Sequence, residues 1–263
     1  MHFLRSLLPL LLCLCFADRA GAVRCDSLAA DTLAPVAAPC GCDFRLRPRD
    51  IIIPAAVVGF SAFTARNGWL RKKRDVIQDA LSPRRGGIHT TVDDYIQYVP
   101  SATVLALNAF YDRQGTRRFV DRMGVHLVAF ATMTALTQGL KYTIRERRPD
   151  SGARNSFPSG HTATAFMGAE LLRIEYAHIS PWIGYAGYAV AATTAYLRVY
   201  NNRHYLNDVL AGAAIGIFSS RFATWLYPRA FRRSACRPAP RTAVTCIPFA
   251  GPAGYGASFS ISL

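Results

Sequence analysis

The sequence predicts an all-α protein, an integral membrane bundle of five or six transmembrane helices. Three observations carry that expectation. Hydrophobic residues make up 51% of the 263 residues and charged residues only 18%, a balance that leans toward membrane. Apolar runs recur along the second half at the roughly 17 to 25 residues that a spanning helix needs. The formal net charge is +15, and the basic residues collect between the apolar runs. A nucleic-acid partner would call for a recognised motif or a basic amphipathic helix, and the sequence is read as having neither. The charge fits loops that face anionic lipid headgroups.

Taken in order, Met1 to Ala22 reads as a secretory signal. Arg5 supplies the positive start, Leu7 to Phe16 the apolar core, and Ala20-Gly21-Ala22 the small-residue cleavage site. Its removal takes away Cys13 and Cys15 and leaves Cys25, Cys40, Cys42, Cys236 and Cys246. This odd set reads as structural or incidental rather than metal-binding. Residues 23–97 form a leader, without periodicity up to about residue 50. Ile51 to Ala65 is apolar but short and contains Pro54, which points to an interfacial or re-entrant piece rather than a span. Arg66 to Arg85 reads as a basic loop, closed by Gly86-Gly87.

The membrane core is expected over 98–227. Val92 to Tyr98, with Asp93-Asp94, is an interfacial lead-in to the apolar run Val99 to Tyr111. Asp112 to Arg122 is a basic turn, and Met123 to Leu140 is a span. His161 to Ala177 is the next helix, Ile179 to Leu197 the cleanest span, and Leu206 to Tyr227 the last. Residues 228–263 are a basic, then Gly/Ser-rich tail. Its end alternates like a strand but is read as disordered. No internal repeat is present.

Three stretches at the ends of these segments hold the residues needed to handle a phosphate. They are Lys141 to Pro149, Ser156 to His161, and Arg198 to Asp208. A phosphoester reaction needs fixed cations for a dianion, a nucleophile, and an acid for the leaving group. Lys141, Arg148 and Arg198 can be the cations. His204 can be the nucleophile, with Asp208 four residues on to orient its ring. His161 can be the general acid. Ser159 and Gly160 open a helix there, and their backbone N–H groups can cradle phosphate oxygens, while Ser159 also reads as a plain N-cap. A His–Asp pair alone is an ordinary helix pair; Arg198 before it and the Pro158-Ser159-Gly160-His161 stretch upstream make it a site. Arg145, Arg147 and Arg203 read as solvated loop charge first, with contact to a second phosphate or the lipid headgroup as the alternative, His126 reads as a packed polar residue, and Glu170 with Arg173 as an i,i+3 pair. His89 and His178 match nothing. With cations in place of a metal, no metal and no other cofactor is expected.

Lys141 follows a span, His161 opens one, Arg198 follows one and His204 opens one, so alternating spans put all three motifs on one side. Arg113, Arg117, Arg118 and Arg122, and again Arg229, Arg232, Arg233, Arg237 and Arg241, mark the other side as cytoplasmic. A bacterial inner (cytoplasmic) membrane location with the site facing the periplasm follows. A cleaved signal and a fully spanning Ile51–Ala65 cannot both accompany that orientation.

The three motifs resemble those of the type 2 phosphatidic acid phosphatase superfamily. That pattern is Lys, six residues, Arg-Pro; then Pro-Ser-Gly-His; then Ser-Arg, five residues, His, three residues, Asp. Lys141, Arg148 and Pro149, then Pro158 to His161, then Arg198, His204 and Asp208 match it, with Leu197 where the family has Ser. The resemblance extends from about residue 95 to 227. It implies a membrane lipid phosphatase working through a phosphohistidine without metal. Soluble acid phosphatases and vanadate-dependent haloperoxidases share the motifs, but the apolar spans argue against both. A non-catalytic membrane protein with a degenerate site is opposed by the intact His161, His204 and Asp208. Tyr95-Ile-Gln-Tyr-Val-Pro100 after Asp93-Asp94, and the Glu175-Tyr176 pair, look similar to envelope phosphatases of the lipid A group. The expected substrate is therefore a phospholipid or glycolipid phosphate, lipid A first. Undecaprenyl diphosphate, phosphatidylglycerol phosphate and phosphatidate stay open. No nucleic acid and no obligate protein partner is expected.

Overall fold

The structure is a computed structural model and describes residues 44–82, 90–110, 119–177, 179–231, 243–251 and 254–262. The expected signal peptide lies outside the described residues. The body is a helical bundle: α1 (Pro48–Arg66), α2 (Gly68–Leu81), α3 (Val92–Ile96), α4 (Val99–Phe110), α5 (Phe119–Ile144), α6 (Gly160–Tyr176), α7 (Pro181–Tyr200) and α8 (Leu206–Phe231). The four C-terminal helices follow the apolar runs closely. In lipid every backbone polar group must be satisfied inside its own segment, so an apolar run of this length has little choice but helix. Among the described residues α5 and α8 are long and apolar enough to cross a membrane, and the bent pair α1–α2 adds a third if it is one broken span.

The central helix is α6, buried along Thr162 to Leu172 and packed against α4, α5, α7 and α8. It can sit so close to α8 because that helix presents small residues, the usual way for membrane helices to approach. A Cβ at Gly212 would lie 2.5 Å from the Ser159 carbonyl, so this glycine also sets where the loop before α6 runs. The α5 helix shows one buried stripe, Val125, Ala129, Met133 and Thr137, at the four-residue spacing of one helix face. Its Leu127, Phe130 and Leu136 are exposed, an apolar outer face suited to lipid. Exposed aromatics gather at both ends: Trp69, Tyr95, Tyr98 and Tyr142 at the motif end, Trp182, Tyr185 and Phe231 at the other. Trp182 and Arg198 on α7 are separated by roughly 24 Å at 1.5 Å per residue, a spacing that suits two interfacial belts.

The N-terminal part differs from the sequence reading in two ways. Ile51–Ala65 is the middle of a longer helix, α1, which runs beside α8 and forms with α2 a bent pair of the kind made by a broken span or a re-entrant loop. Asp50 pairs with Arg221 far along α8, and the Ser61 carbonyl accepts from Asn207 Nδ2 at α8's start at 3.4 Å. Pro48 sits in the first turn, where its missing N–H costs nothing, and Asp50 accepts the Arg47 backbone N–H at 2.8 Å. The second difference is that the expected basic loop is largely α2, a basic amphipathic helix that the sequence reading excluded. Asn67 ends α1 and caps α2, its Oδ1 accepting the N–H groups of Trp69 and Leu70. The chain turns there by 96°, so α2 lies across the motif end. It buries Arg74 and Gln78 and exposes Trp69, Arg71, Lys72 and Lys73.

The tail is the third difference. Ala243–Gly251 and Gly254–Ser262 pair as an antiparallel hairpin, β1–β2, with Ala243 opposite Ser262 and Gly251 opposite Gly254. The period-2 alternation noted in the sequence is the strand signal.

Buried charges on α6 find partners at mid-bundle. Glu170 accepts from Arg173, as the i,i+3 spacing predicts, and also from Arg221 Nε at 2.7 Å and from Tyr188. An unpaired carboxylate at this depth would be expensive.

Candidate functional site

All the predicted site residues come together at one end of the bundle. Lys141 closes the last turn of α5 and donates to the Asn155 carbonyl at 2.6 Å. The loop that follows folds back on itself. Ser156 N–H donates to the Glu146 carbonyl at 3.0 Å, and Arg148 N–H to Ala153 at 2.9 Å, with Gly152 at φ +70° making the turn. This fold-back brings Arg148 toward the other two motifs.

The second motif is stitched to the third. Ser159 N–H donates to the Asp208 backbone carbonyl at 3.0 Å, and Ser156 Oγ donates to the Asp208 carboxylate. Ser159 stands at the N-cap of α6, but its side chain caps no backbone N–H; its Oγ accepts from Thr162 Oγ1 at 3.0 Å. The capping half of the sequence reading is therefore corrected: Thr162, one turn on, competes for the hydroxyl. A Cβ at Gly160 would meet nothing within 4 Å, so open space faces this helix start.

His204 does not sit on α8. It lies in the loop before it, held by its N–H to the Arg198 carbonyl at 3.3 Å, and is 1% exposed. The helix-face argument for the His–Asp pair therefore gives way to a different geometry. Asp208 is in the first turn of α8, fully buried, and its Oδ2 lies 3.6 Å from His204 Nδ1. That is too long for a hydrogen bond. Asp208 is held by others: Tyr205 N–H to Oδ2 at 3.1 Å, Asn207 Nδ2 to Oδ1 at 3.1 Å, and Ser156. His204 Nδ1, Arg148 Nε and Arg198 Nε are buried polar atoms without a hydrogen-bond partner among the described residues. Burial first, then the charges of Arg198, Lys141 and Arg148, push the His204 imidazolium well below its usual range. The ring is thus a neutral base facing three cations, an arrangement able to receive a dianion and attack it.

Five residues around the site escaped the sequence reading. Asp93 accepts from Arg198 Nη1 at 2.6 Å and from Asn201 Nδ2 at 3.0 Å. Asp94 Oδ1 lies 3.1 Å from Arg198 Nη1 and 2.8 Å from His161 Nε2. In the sequence both aspartates belong to the interfacial lead-in before the apolar run Val99 to Tyr111. Glu146 sits inside the first motif, between Lys141 and Arg148, and pairs with Arg74 of α2. Arg74 also lies 3.5 Å over the Tyr205 ring. Asn207 Nδ2 reaches both Asp208 and, at 3.5 Å, Glu146 Oε2. The one available signal for Glu146 was an acid in an otherwise basic run. The surplus cations stay at the surface: Arg145 and Arg147 are exposed, and Arg203 pairs with Asp150 at 3.3 Å. His126 is half-buried inside α5, as expected of a packed polar residue.

Burial first, then the charge of Asp208, push the Glu146 carboxyl up to about 7 from an ordinary 4.5, against the pull of Arg74. A carboxyl with a raised folded pKa keeps a proton that the unfolded chain has lost. Its contribution to stability is full below about 4.5 and is lost as pH rises through about 7. Glu146→Gln should therefore flatten the fall in thermal unfolding temperature between about pH 5 and about pH 8, measured in detergent. Parallel curves for the two proteins would remove Glu146 as the source.

Residues 123–232 match the sequence profile of the PAP2 superfamily, and the matched stretch is less than half of the chain. It carries every motif residue from Lys141 to Asp208. A lipid A 1-phosphatase of Porphyromonas gingivalis is 37% identical over 158 residues, which are 60% of this chain and 36% of that protein. The chain thus spans about a third of the length of that relative. Among solved structures, a PAP2-type phosphatidylglycerolphosphate phosphatase from Bacillus subtilis superposes with a TM-score of 0.49 at 20% identity, covering 68% of this chain and 98% of its own. LpxE of Aquifex aeolicus superposes at 0.43 and 21% identity, covering 56% and 92%.

Proposed function

We propose that this protein is a membrane lipid phosphatase that removes a phosphate from lipid A through a phosphohistidine on His204. The observation that carries the reading is the convergence of Lys141, Arg148 and Arg198 on a buried, neutral His204 backed by Asp208. His204 Nε2 attacks phosphorus while Nδ1–H turns to Asp208. The bond from phosphorus to the leaving oxygen breaks, and His161 gives that oxygen a proton. Water, deprotonated by His161, then cleaves the phosphorus–nitrogen bond and frees inorganic phosphate. Arg148, Arg198, Lys141 and the N–H groups of Ser159 and Gly160 hold the equatorial oxygens, where charge is spread in the transition state. Similarity to a lipid A 1-phosphatase supports lipid A as substrate and its 1-phosphate as the position.

The test is phosphate release by full-length, detergent-purified protein, with mass spectrometry of the lipid. Lipid A should lose one phosphate. Untouched lipid A beside hydrolysed undecaprenyl diphosphate would overturn the substrate and keep the chemistry.

The site faces the periplasm in this reading. Arg45, Arg47 and Arg49 at the start of α1 lie at the end opposite the site, with Arg122 and Arg229, and the positive-inside rule makes that end cytoplasmic. If α1 crosses, Met1–Ala22 is not removed as a secretory signal, because cleavage would leave the new terminus outside. In a protein freed of native cysteines, a cysteine at Gly152 should react with an impermeant reagent outside intact spheroplasts, and one at Arg47 should not. The reverse pattern would turn the site to the cytoplasm.

A further inference from the structure

Asp94 stands where the substrate should be. It comes from the short helix α3, more than sixty residues before His161 in sequence, yet one of its oxygens touches both the acid and a cation of the proposed site. Oδ1 lies 2.8 Å from His161 Nε2 and 3.1 Å from Arg198 Nη1. A phosphate oxygen held between Arg198 and the leaving-group acid would need these same two neighbours. The adjacent aspartate plays a different part. Asp93 is 1% exposed and is fixed by Arg198 at 2.6 Å and Asn201 at 3.0 Å, so it anchors Arg198 whether or not substrate is present. The Asp94 side chain is 49% exposed. It is next to Tyr95, which is 74% exposed, so it has solvent to swing into. The Asp94 backbone is pinned independently, its N–H on the Thr91 carbonyl at 3.1 Å and its carbonyl accepting from Gln97 Nε2 at 2.7 Å. The side chain can therefore leave without unravelling α3.

We propose that the Asp94 carboxylate fills the phosphate seat in the resting protein and must be displaced by the incoming phosphate, so that it sets which anions can enter. This rests on the reading of Arg198 and His161 as phosphate and leaving-group contacts. A carboxylate carries one negative charge and a phosphate monoester close to two. A dianion that also gains Lys141 and Arg148 wins the exchange, whereas a monoanion has little advantage over the resident carboxylate. Displacement also frees His161 Nε2 to serve the leaving oxygen. The same carboxylate, returning, helps expel the product.

The readout is affinity for inorganic phosphate, measured on full-length protein in detergent by calorimetry and as product inhibition. Asp94→Asn keeps the shape and removes the charge. It should bind phosphate about tenfold more tightly, the scale of one lost like-charge contact at a half-exposed position. Asp94→Glu restores the charge and should return affinity toward the starting value. Asp94→Ser serves in place of Asn if that variant does not fold. A role limited to supporting the fold predicts no tightening in any folded variant. Unchanged or weaker phosphate binding in folded Asp94→Asn or Asp94→Ser overturns the proposal, and so does failure of all three variants to fold. Arg198→Ala separates the two levels of argument. If it loses phosphate while Asp94→Asn stays like the parent, only the role of Asp94 falls. If Arg198→Ala binds phosphate as the parent does, the reading of the site falls with it.

Discussion

His204→Ala should abolish phosphate release, with a loss of about 10⁴-fold or more in kcat, the scale seen when a covalent nucleophile is removed. In the proposed mechanism no other side chain among the described residues is placed to attack. In that mechanism the other histidine of the site, His161, serves the leaving group, and it is 30% exposed. Arg148 and Arg198 stay protonated and cannot attack phosphorus. The loss should be confined to chemistry: the truncated protein should still insert, keep its unfolding temperature within a few degrees, and bind phosphate. Burial and three cations hold the His204 ring neutral far below its ordinary 6.5, so protonation of the nucleophile should not limit the parent enzyme near neutral pH. Its acid limb in kcat/KM should lie below about 6.5. Rapid quench with radiolabelled substrate should trap an acid-labile, alkali-stable phosphoprotein in the parent and none in His204→Ala. More than a few per cent of parental turnover in His204→Ala would sink the assignment.

The second large effect belongs to Asp208. Asp208→Asn should lower kcat by about 10²- to 10⁴-fold, the range spanned by outer-shell partners and triad carboxylates. The expected mechanism is specific. In the resting structure His204 Nδ1 is 3.6 Å from Asp208 Oδ2, and the contact should tighten as the ring gains positive charge on phosphorylation. An amide can accept the ring N–H only weakly and brings no charge to balance the phosphoimidazolium. It also points an NH₂ toward a neighbour that already donates, either Asn207 Nδ2 or the Tyr205 N–H, so some stability should go as well. Single-turnover kinetics separates the two. A slow first step with normal phosphate affinity marks a positioning role. Loss of phosphate affinity equal to the loss in kcat would mean that Asp208 only holds the loop together.

Much of this architecture is legible in the chain. The expected Met123–Leu140, His161–Ala177, Ile179–Leu197 and Leu206–Tyr227 became α5 to α8, with ends moved by a few residues. Their terminal positions predicted that Lys141, His161, Arg198 and His204 would share one end. The N-terminal region was harder. In α1 Pro54 and a short apolar run predict a short segment, whereas the polar flanks Arg49-Asp50 and Arg66 are part of the helix. In α2 four consecutive basic residues hid an amphipathic pattern, because Arg74 turns inward to Glu146 while Arg71, Lys72 and Lys73 face out. A basic residue looks the same in sequence whether it is solvated or paired.

The sequence by itself determined the lipid-phase helices and the placing of spaced Lys, Arg and His motifs at their ends, because long apolar runs in a bilayer must form internal hydrogen bonds and spaced motifs travel with the segments that carry them. Only the tertiary structure decided which charges meet. Asp94 reaches His161, Arg74 reaches Glu146, and Asp50 reaches Arg221 across long stretches of chain. Such pairs are chosen by how α6 and α8 pack around their small residues and where α2 lies across the bundle's end. No local periodicity records them, since each partner alone is an ordinary charge beside a helix.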